Sequence, residues 1–197
     1  RCSRTTQPNL GAVIHMSAEH AKLSEKEFAE ECRGIVDKAR NNNVTLRALG
    51  ALAVYIHSAH SEDSLSLYDS IKRLGENKST FTDLDLITYS SQGKQVESFF
   101  EKTLGFKPDV VLNALYAKRR SIYYHPNGSY FVDVFYDKLE FSHNVEFGSK
   151  PGKGRLEYDY PTITPADIVL EKIQIHRINF KDLVDLAILF VGHDVDT

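Results

Sequence analysis

Two cysteines in 197 residues, Cys2 and Cys32, are too few for a disulfide framework or a zinc-ligand set, and they favour a reducing, cytoplasmic setting. No apolar run reaches the roughly 18 residues that a bilayer-spanning helix needs. The longest, Leu183 to Val191, is interrupted by Asp185, so no membrane contact is expected. Excess charge of one sign is also missing. A net charge of −3 and a pI near 6.3 give no general attraction for a polyanion, and a nucleic-acid partner would need a local basic patch. The compact candidate, Ala117-Lys118-Arg119-Arg120, reads as a solvated strand end. Internal repeats, low-complexity segments and a nucleophile elbow around any serine or cysteine are absent. The only methionine, Met16, follows a histidine as at a cloning junction. Residues 1–15 are therefore read as vector or upstream sequence and kept out of the fold reading.

What remains is ordinary globular material, 42% hydrophobic and 26% charged, long enough for one core. Residues 1–23 read as a tail and 24–192 as a single domain whose part from 164 to 192 is helical. Ser24-Glu25-Lys26-Glu27 has the form of a capping box, and Phe28, Cys32, Ile35 and Val36 follow at helical spacing to Asn41-Asn42-Asn43. Val44 to Leu49 reads as a strand, and Gly50 then opens an apolar helix from Ala51 to His57. Such a turn leaves backbone amides at the helix start, where phosphate can bind. Ser58 to Thr80 reads as a polar surface excursion or lid with a short amphipathic piece, Leu67 to Leu74. A helix from Lys94 to Leu104 is closed by Gly105. Strand-type runs follow at Asp109–Leu115, Ser121–Tyr124 and Tyr130–Tyr136, the last two joined by the hairpin signal Pro126-Asn127-Gly128. A further pair, Leu139–Phe147 and Arg155–Tyr160, is joined by the glycine-rich stretch 148–154. Thr164-Pro165 starts one C-terminal helix, carrying Ile168, Leu170, Ile173 and Ile175. Asn179 starts another, with Leu183, Leu186, Ala187 and Phe190 on its apolar face.

The most informative stretch is Thr82-Asp83-Leu84-Asp85-Leu86-Ile87, read with Asp133 in Tyr130-Phe131-Val132-Asp133-Val134-Phe135. Residues i and i+2 of a strand project to one face, about 6.6 Å apart along it. Asp83 and Asp85 would then sit side by side while Leu84 and Leu86 enter the core. Flanked by apolar residues in a central strand, Asp133 would be costly to bury without a partner or a metal. Three such carboxylates suit Mg²⁺ or Mn²⁺, which take oxygen ligands and leave room for phosphate. His57 and His60, near Glu62 and Asp63, could suggest zinc, but the spacing is loose and surface histidines are the better reading. His125, His143, His176 and His193 are isolated. Lys172 in an apolar helix either snorkels at its edge or meets phosphate, and Lys181, Asp182 and Asp185 share a face as an ion-pair network.

In this order, Leu46-Arg47-Ala48-Leu49-Gly50-Ala51-Leu52-Ala53-Val54, the Asp83-Leu84-Asp85 segment, the Asp133 strand, Leu170-Glu171-Lys172-Ile173-Gln174-Ile175 and Asn179-Phe180-Lys181-Asp182-Leu183-Val184-Asp185-Leu186 resemble the nucleotidyltransferase superfamily of the DNA polymerase beta type. Within it they are similar to a prokaryotic branch related to abortive-infection toxins. The resemblance implies an α+β fold, a mixed sheet flanked by helices with the C-terminal helices packed alongside. It implies that Asp83, Asp85 and Asp133 are the catalytic and metal-binding acids, with Asp133 activating the attacking hydroxyl. It places Gly50, Ala51, Lys172 and Lys181 at the nucleotide. The expected substrate is a nucleoside triphosphate, and the acceptor is an RNA, a protein or a small molecule. Where the family usually has Gly-Gly or Gly-Ser, this chain has Gly50-Ala51, which removes a hydroxyl contact to phosphate, and the interval from Gly50 to Asp83 is long. An inactive nucleotide-binding or protein-interaction module with an antitoxin partner is the alternative.

Overall fold

The computed structural model describes residues 23–71, 81–116 and 119–193. The expectations for Cys2, Met16, residues 1–22, residues 72–80 and the pair 117–118 lie outside the described residues. Helix α1 (Glu25–Asn41) starts as its sequence directs: the Ser24 hydroxyl accepts from the Glu27 amide at 3.3 Å, and the Glu27 carboxylate accepts from the Ser24 amide at 2.8 Å. Its apolar stripe of Phe28, Cys32, Ile35 and Val36 is buried. Strand β1 (Arg47–Ala48) leads into α2 (Gly50–Ser58).

The segment expected as a surface excursion instead holds a packed helix, α3 (Glu62–Ile71), with Ser64 and Tyr68 buried. The Ser64 hydroxyl donates to the Ile188 carbonyl at 3.1 Å, which ties α3 to the C-terminus. Strand β2 (Asp83–Thr88) is followed by a short 3₁₀ turn and α4 (Gly93–Ser98), which runs on as a wide turn through Phe99–Thr103. Gly105 ends it in the left-handed region, φ 72°.

Strand β3 (Lys107–Pro108) is short, and the strand expected over Asp109–Leu115 is a helix, α5 (Val110–Tyr116). The reason is local: the Asp109 carboxylate accepts from the Leu112 amide at 3.0 Å, and an acid that caps a helix start outweighs the strand preference of two valines. Strands β4 (Arg120–Tyr124) and β5 (Phe131–Tyr136) form the expected hairpin. Strands β6 (Lys138–Glu140) and β7 (Asn144–Glu146) pair with each other, so Leu139–Phe147 folds back on itself and Arg155–Tyr160 is a run of turns rather than its partner. Gly154 explains the difference. A Cβ there would lie 2.4 Å from the Tyr89 hydroxyl, because the glycine-rich loop closes tightly over Tyr89.

The main sheet has the order β1-β2-β5-β4-β3, parallel only between β2 and β5. The molecule is α+β, with seven helices and this mixed sheet of five strands among the described residues. Leu84, Leu86, Val132 and Val134 occupy one face of the sheet and belong to the core. Helices α6 (Pro165–Ile173) and α7 (Phe180–Val191) begin at Thr164 and Asn179, whose side chains accept from the Asp167 and Asp182 amides. Their inward faces differ from the apolar pattern. Leu170, Ile173, Leu183 and Phe190 are exposed, whereas Glu171, Lys172, Asp182 and Asp185 are buried beside Ile168, Val184, Ile188 and Leu189. Polar groups on the two helices find partners across the interface, and that pairing sets the rotation of both. Among the described residues no helix is long and apolar enough to cross a membrane.

Candidate functional site

The acids of β2 and β5 meet through register. Asp85 stands opposite Asp133 across the parallel pair, and Asp83 opposite Phe131. Side chains alternate along each strand, so Asp83, Asp85 and Asp133 share the face opposite Leu84, Leu86, Val132 and Val134. Their electrostatics carry the mark of this crowding. Burial pushes the Asp85 carboxyl well above the usual carboxylate range, and the charges of Asp83, Asp133 and Glu171 push it further. Asp133 is only 2% exposed, and burial raises it too, against the opposing pull of Arg120. Asp83, at the open end of the strand, accepts from the Thr82 hydroxyl at 3.0 Å.

Arg120 is the partner that sequence reading missed. From β4 it reaches Asp133 with Nε on one carboxylate oxygen at 2.6 Å and Nη2 on the other, a two-pronged, charge-assisted contact. Its guanidinium also lies against the Tyr116 and Phe135 rings, at 5.3 Å from each centroid. The hairpin signal already placed Ser121–Tyr124 beside Asp133, and one residue of extension would have supplied the cation. Thus Arg120 is half-buried at an ion pair, not a solvated strand end.

At the other end of the acid row stands the start of α2. Gly50 has φ +71°, and a Cβ there would lie 2.8 Å from Oδ2 of Asp85. Its amide is not open to solvent: the Glu171 carboxylate of α6 accepts from it at 3.0 Å. Ala51 is half-buried against the core. Lys172 is buried rather than snorkelling, with its ammonium 3.0 Å from Asp185, 3.3 Å from Asp182 and 3.7 Å from Glu171. Burial opposes its charge, but the three carboxylates outweigh burial and hold its pKa above the ordinary lysine value. The expected Lys181 network is therefore built on Lys172, and Lys181 is exposed on the first turn of α7.

His57 is half-buried rather than superficial. Its Nε2 lies 2.7 Å from the Thr162 hydroxyl and 3.1 Å from the Ile163 carbonyl, and burial lowers its pKa. A cleft of about 870 Å³ opens on the reverse face of the sheet beside Ser121, Tyr123 and Tyr136. The candidate site lies on the acid face, because the carboxyl groups without an ion-pair partner among the described residues, Asp83 and Asp85, are there.

Among the described residues no three His, Cys, Asp or Glu side chains converge as a ready-made metal cage. The donors nonetheless suit a hard cation. Asp83 and Asp85 offer only carboxylate oxygen, and Mg²⁺ is commonly held by one or two carboxylates with water and phosphate completing its shell. The raised Asp85 carboxyl marks the place where a positive charge would be stabilising.

The chain matches no protein-family model and no curated protein. Two solved structures are similar to it. One is a lincosamide antibiotic adenylyltransferase, LnuA, with lincomycin bound, at 15% identity and a TM-score of 0.49, covering 81% of this chain and 94% of that one. The other is the antibiotic-resistance factor ANT(2'')-Ia, at 13% identity and a TM-score of 0.48, covering 85% of this chain and 84% of that one.

Proposed function

We propose that the chain is a metal-dependent nucleotidyltransferase that moves a nucleoside monophosphate from a nucleoside triphosphate to a hydroxyl of an RNA, a protein or a small molecule. The observation that carries this reading is the register that sets Asp85 opposite Asp133 with Asp83 on the same face, together with the raised Asp85 carboxyl. Asp83 and Asp85 would hold Mg²⁺ or Mn²⁺, which when bound supplies charge neutralisation for the triphosphate. Asp133, oriented by Arg120, takes the proton of the acceptor hydroxyl. The acceptor oxygen then bonds to the α-phosphorus, the bond from that phosphorus to the bridging oxygen breaks, and pyrophosphate leaves with the electron pair. For Asp133, burial lifts its proton affinity while Arg120 fixes its direction, two properties a general base needs. On the nucleotide side, Gly50 lies against Asp85 with Ala51 next in the helix, and Lys181 offers an exposed cation.

A second reading has its own support. Arg120 already engages both oxygens of Asp133, and Glu171 already occupies the Gly50 amide. These contacts suit a nucleotide-binding or interaction module of the toxin and antitoxin kind that performs no transfer. Labelled nucleoside triphosphates incubated with the protein, Mg²⁺ and a pool of cellular RNA and protein separate the two. Transfer that drops at least about a thousandfold, on the order of 4 kcal/mol, in Asp83→Asn and Asp85→Asn supports the enzyme. Binding without transfer in the unmodified protein supports the module.

A further inference from the structure

We infer that Glu171 is a positioning residue for Asp85, acting through Gly50; the inference rests on the nucleotidyltransferase reading of the acid face. Helix α2 has no cap of its own, because Leu49 precedes it and supplies no side-chain acceptor. A first amide buried in that state costs free energy unless something else accepts from it. Glu171, 121 residues further along the chain, accepts from the Gly50 amide at 3.0 Å.

That hydrogen bond fixes the corner on which Asp85 rests. The Leu49 amide donates to the Asp85 carbonyl at 3.1 Å, and Gly50 lies so near the carboxyl that a Cβ would reach within 2.8 Å of Oδ2. Among the described residues no side-chain hydrogen bond holds that carboxyl, so the glycine corner is what limits its position. Glu171 is held in turn: it is 7% exposed and shares Lys172 with Asp182 and Asp185. Its negative charge works against ionised Asp85. That charge would also attract a bound cation, so Glu171→Gln, which keeps the acceptor and removes the charge, is the variant that separates capping from electrostatics.

The test uses Mn²⁺ titration of the intact protein by calorimetry, with amide exchange of the first turn of α2 as an independent readout. Glu171→Gln keeps an acceptor of the same length, and Glu171→Ala removes it. We expect Glu171→Ala to weaken Mn²⁺ binding by about tenfold or more, the range seen when outer partners of metal ligands are lost, while Glu171→Gln stays within about threefold of the parent. Exchange at the start of α2 should accelerate in the alanine variant alone. Equal or tighter Mn²⁺ binding in Glu171→Ala overturns the inference, as does a glutamine variant that falls as far as alanine. Should Glu171→Ala fail to fold, Gly50→Ala displaces Asp85 with Glu171 intact and should reproduce the loss; unchanged Mn²⁺ affinity there overturns the inference as well. If the parent and Asp85→Asn bind Mn²⁺ equally, the nucleotidyltransferase reading fails instead, and the exchange comparison still decides whether Glu171 caps α2.

Discussion

Two clusters in this molecule have the same composition, three carboxylates and one cation, and opposite characters. Between α6 and α7 the cation is central: Lys172 lies within 3.7 Å of Glu171, Asp182 and Asp185. On the sheet the cation is at one edge, and Arg120 gives both prongs of its fork to Asp133. Asp83 and Asp85 are left side by side with no cation at ion-pair distance among the described residues, and Lys172 and Arg120 act on Asp85 only at longer range. Placement of the positive charge, rather than the number of acids, thus separates a structural ion-pair cluster from a candidate cation site. Lysine suits the first because its ammonium is a point charge that several acceptors can share, and arginine suits the second because its planar fork matches one carboxylate.

The contrast can be broken most severely at Lys172. Lys172→Met strands three buried carboxylates, and urea denaturation should show a loss of about 3–5 kcal/mol that Mg²⁺ does not restore. Asp85→Asn does the reverse on the sheet by removing a repelled charge. The metal-free variant should be at least as stable as the parent, while the Mg²⁺-induced stabilisation of the parent, about 2.7 kcal/mol at a hundredfold excess over Kd, should vanish in thermal melts.

The same substitution carries a pH signature. Because the Asp85 carboxyl is raised in the folded chain, the folded state binds its proton more tightly than the unfolded state does. The metal-free parent should lose stability as pH rises from the ordinary carboxylate value through the raised one, and Asp85→Asn should flatten that slope. A melting curve series between pH 4 and pH 8, on the order of one unit per step, reads both. Gly50→Ala is smaller in scale, about 1–3 kcal/mol for the left-handed φ alone, and should erode the Mg²⁺ response through contact with Asp85. Ser24→Ala marks the lower bound. It lies outside both clusters, should cost about 1 kcal/mol as a lost cap, and should leave the Mg²⁺ response unchanged.

Much of the sheet was legible in the sequence because its determinants are local. Alternation along Asp83–Thr88 and Phe131–Tyr136 gave the faces, Asn127-Gly128 gave the hairpin, and Ser24, Thr164 and Asn179 gave the helix starts. The C-terminal helices were harder because their rotation depends on partners in another helix. Of the apolar residues read along these helices, Ile168 and Leu186 do turn inward while Leu170, Ile173, Leu183 and Phe190 are exposed, because Lys172 and its acids supply compensating charge that allows those polar groups to be buried. The α5 segment failed for a different reason, since two valines read as strand while the cap at Asp109 decides the matter. Glu171 left no local signal at all. Its role arises from one hydrogen bond to a residue 121 positions away, and no spacing rule reaches that far.

The pairing of β2 with β5 also sets a schedule for synthesis. A ribosome that has released the chain only as far as the Pro126-Asn127-Gly128 turn has made Asp83, Asp85 and Arg120, but the strand bearing Asp133 has yet to emerge. Until Tyr136 clears the exit tunnel there is no parallel neighbour for β2, and the acid row is incomplete. The nascent protein therefore cannot bring its three sheet acids together until the strand through Tyr136 has emerged.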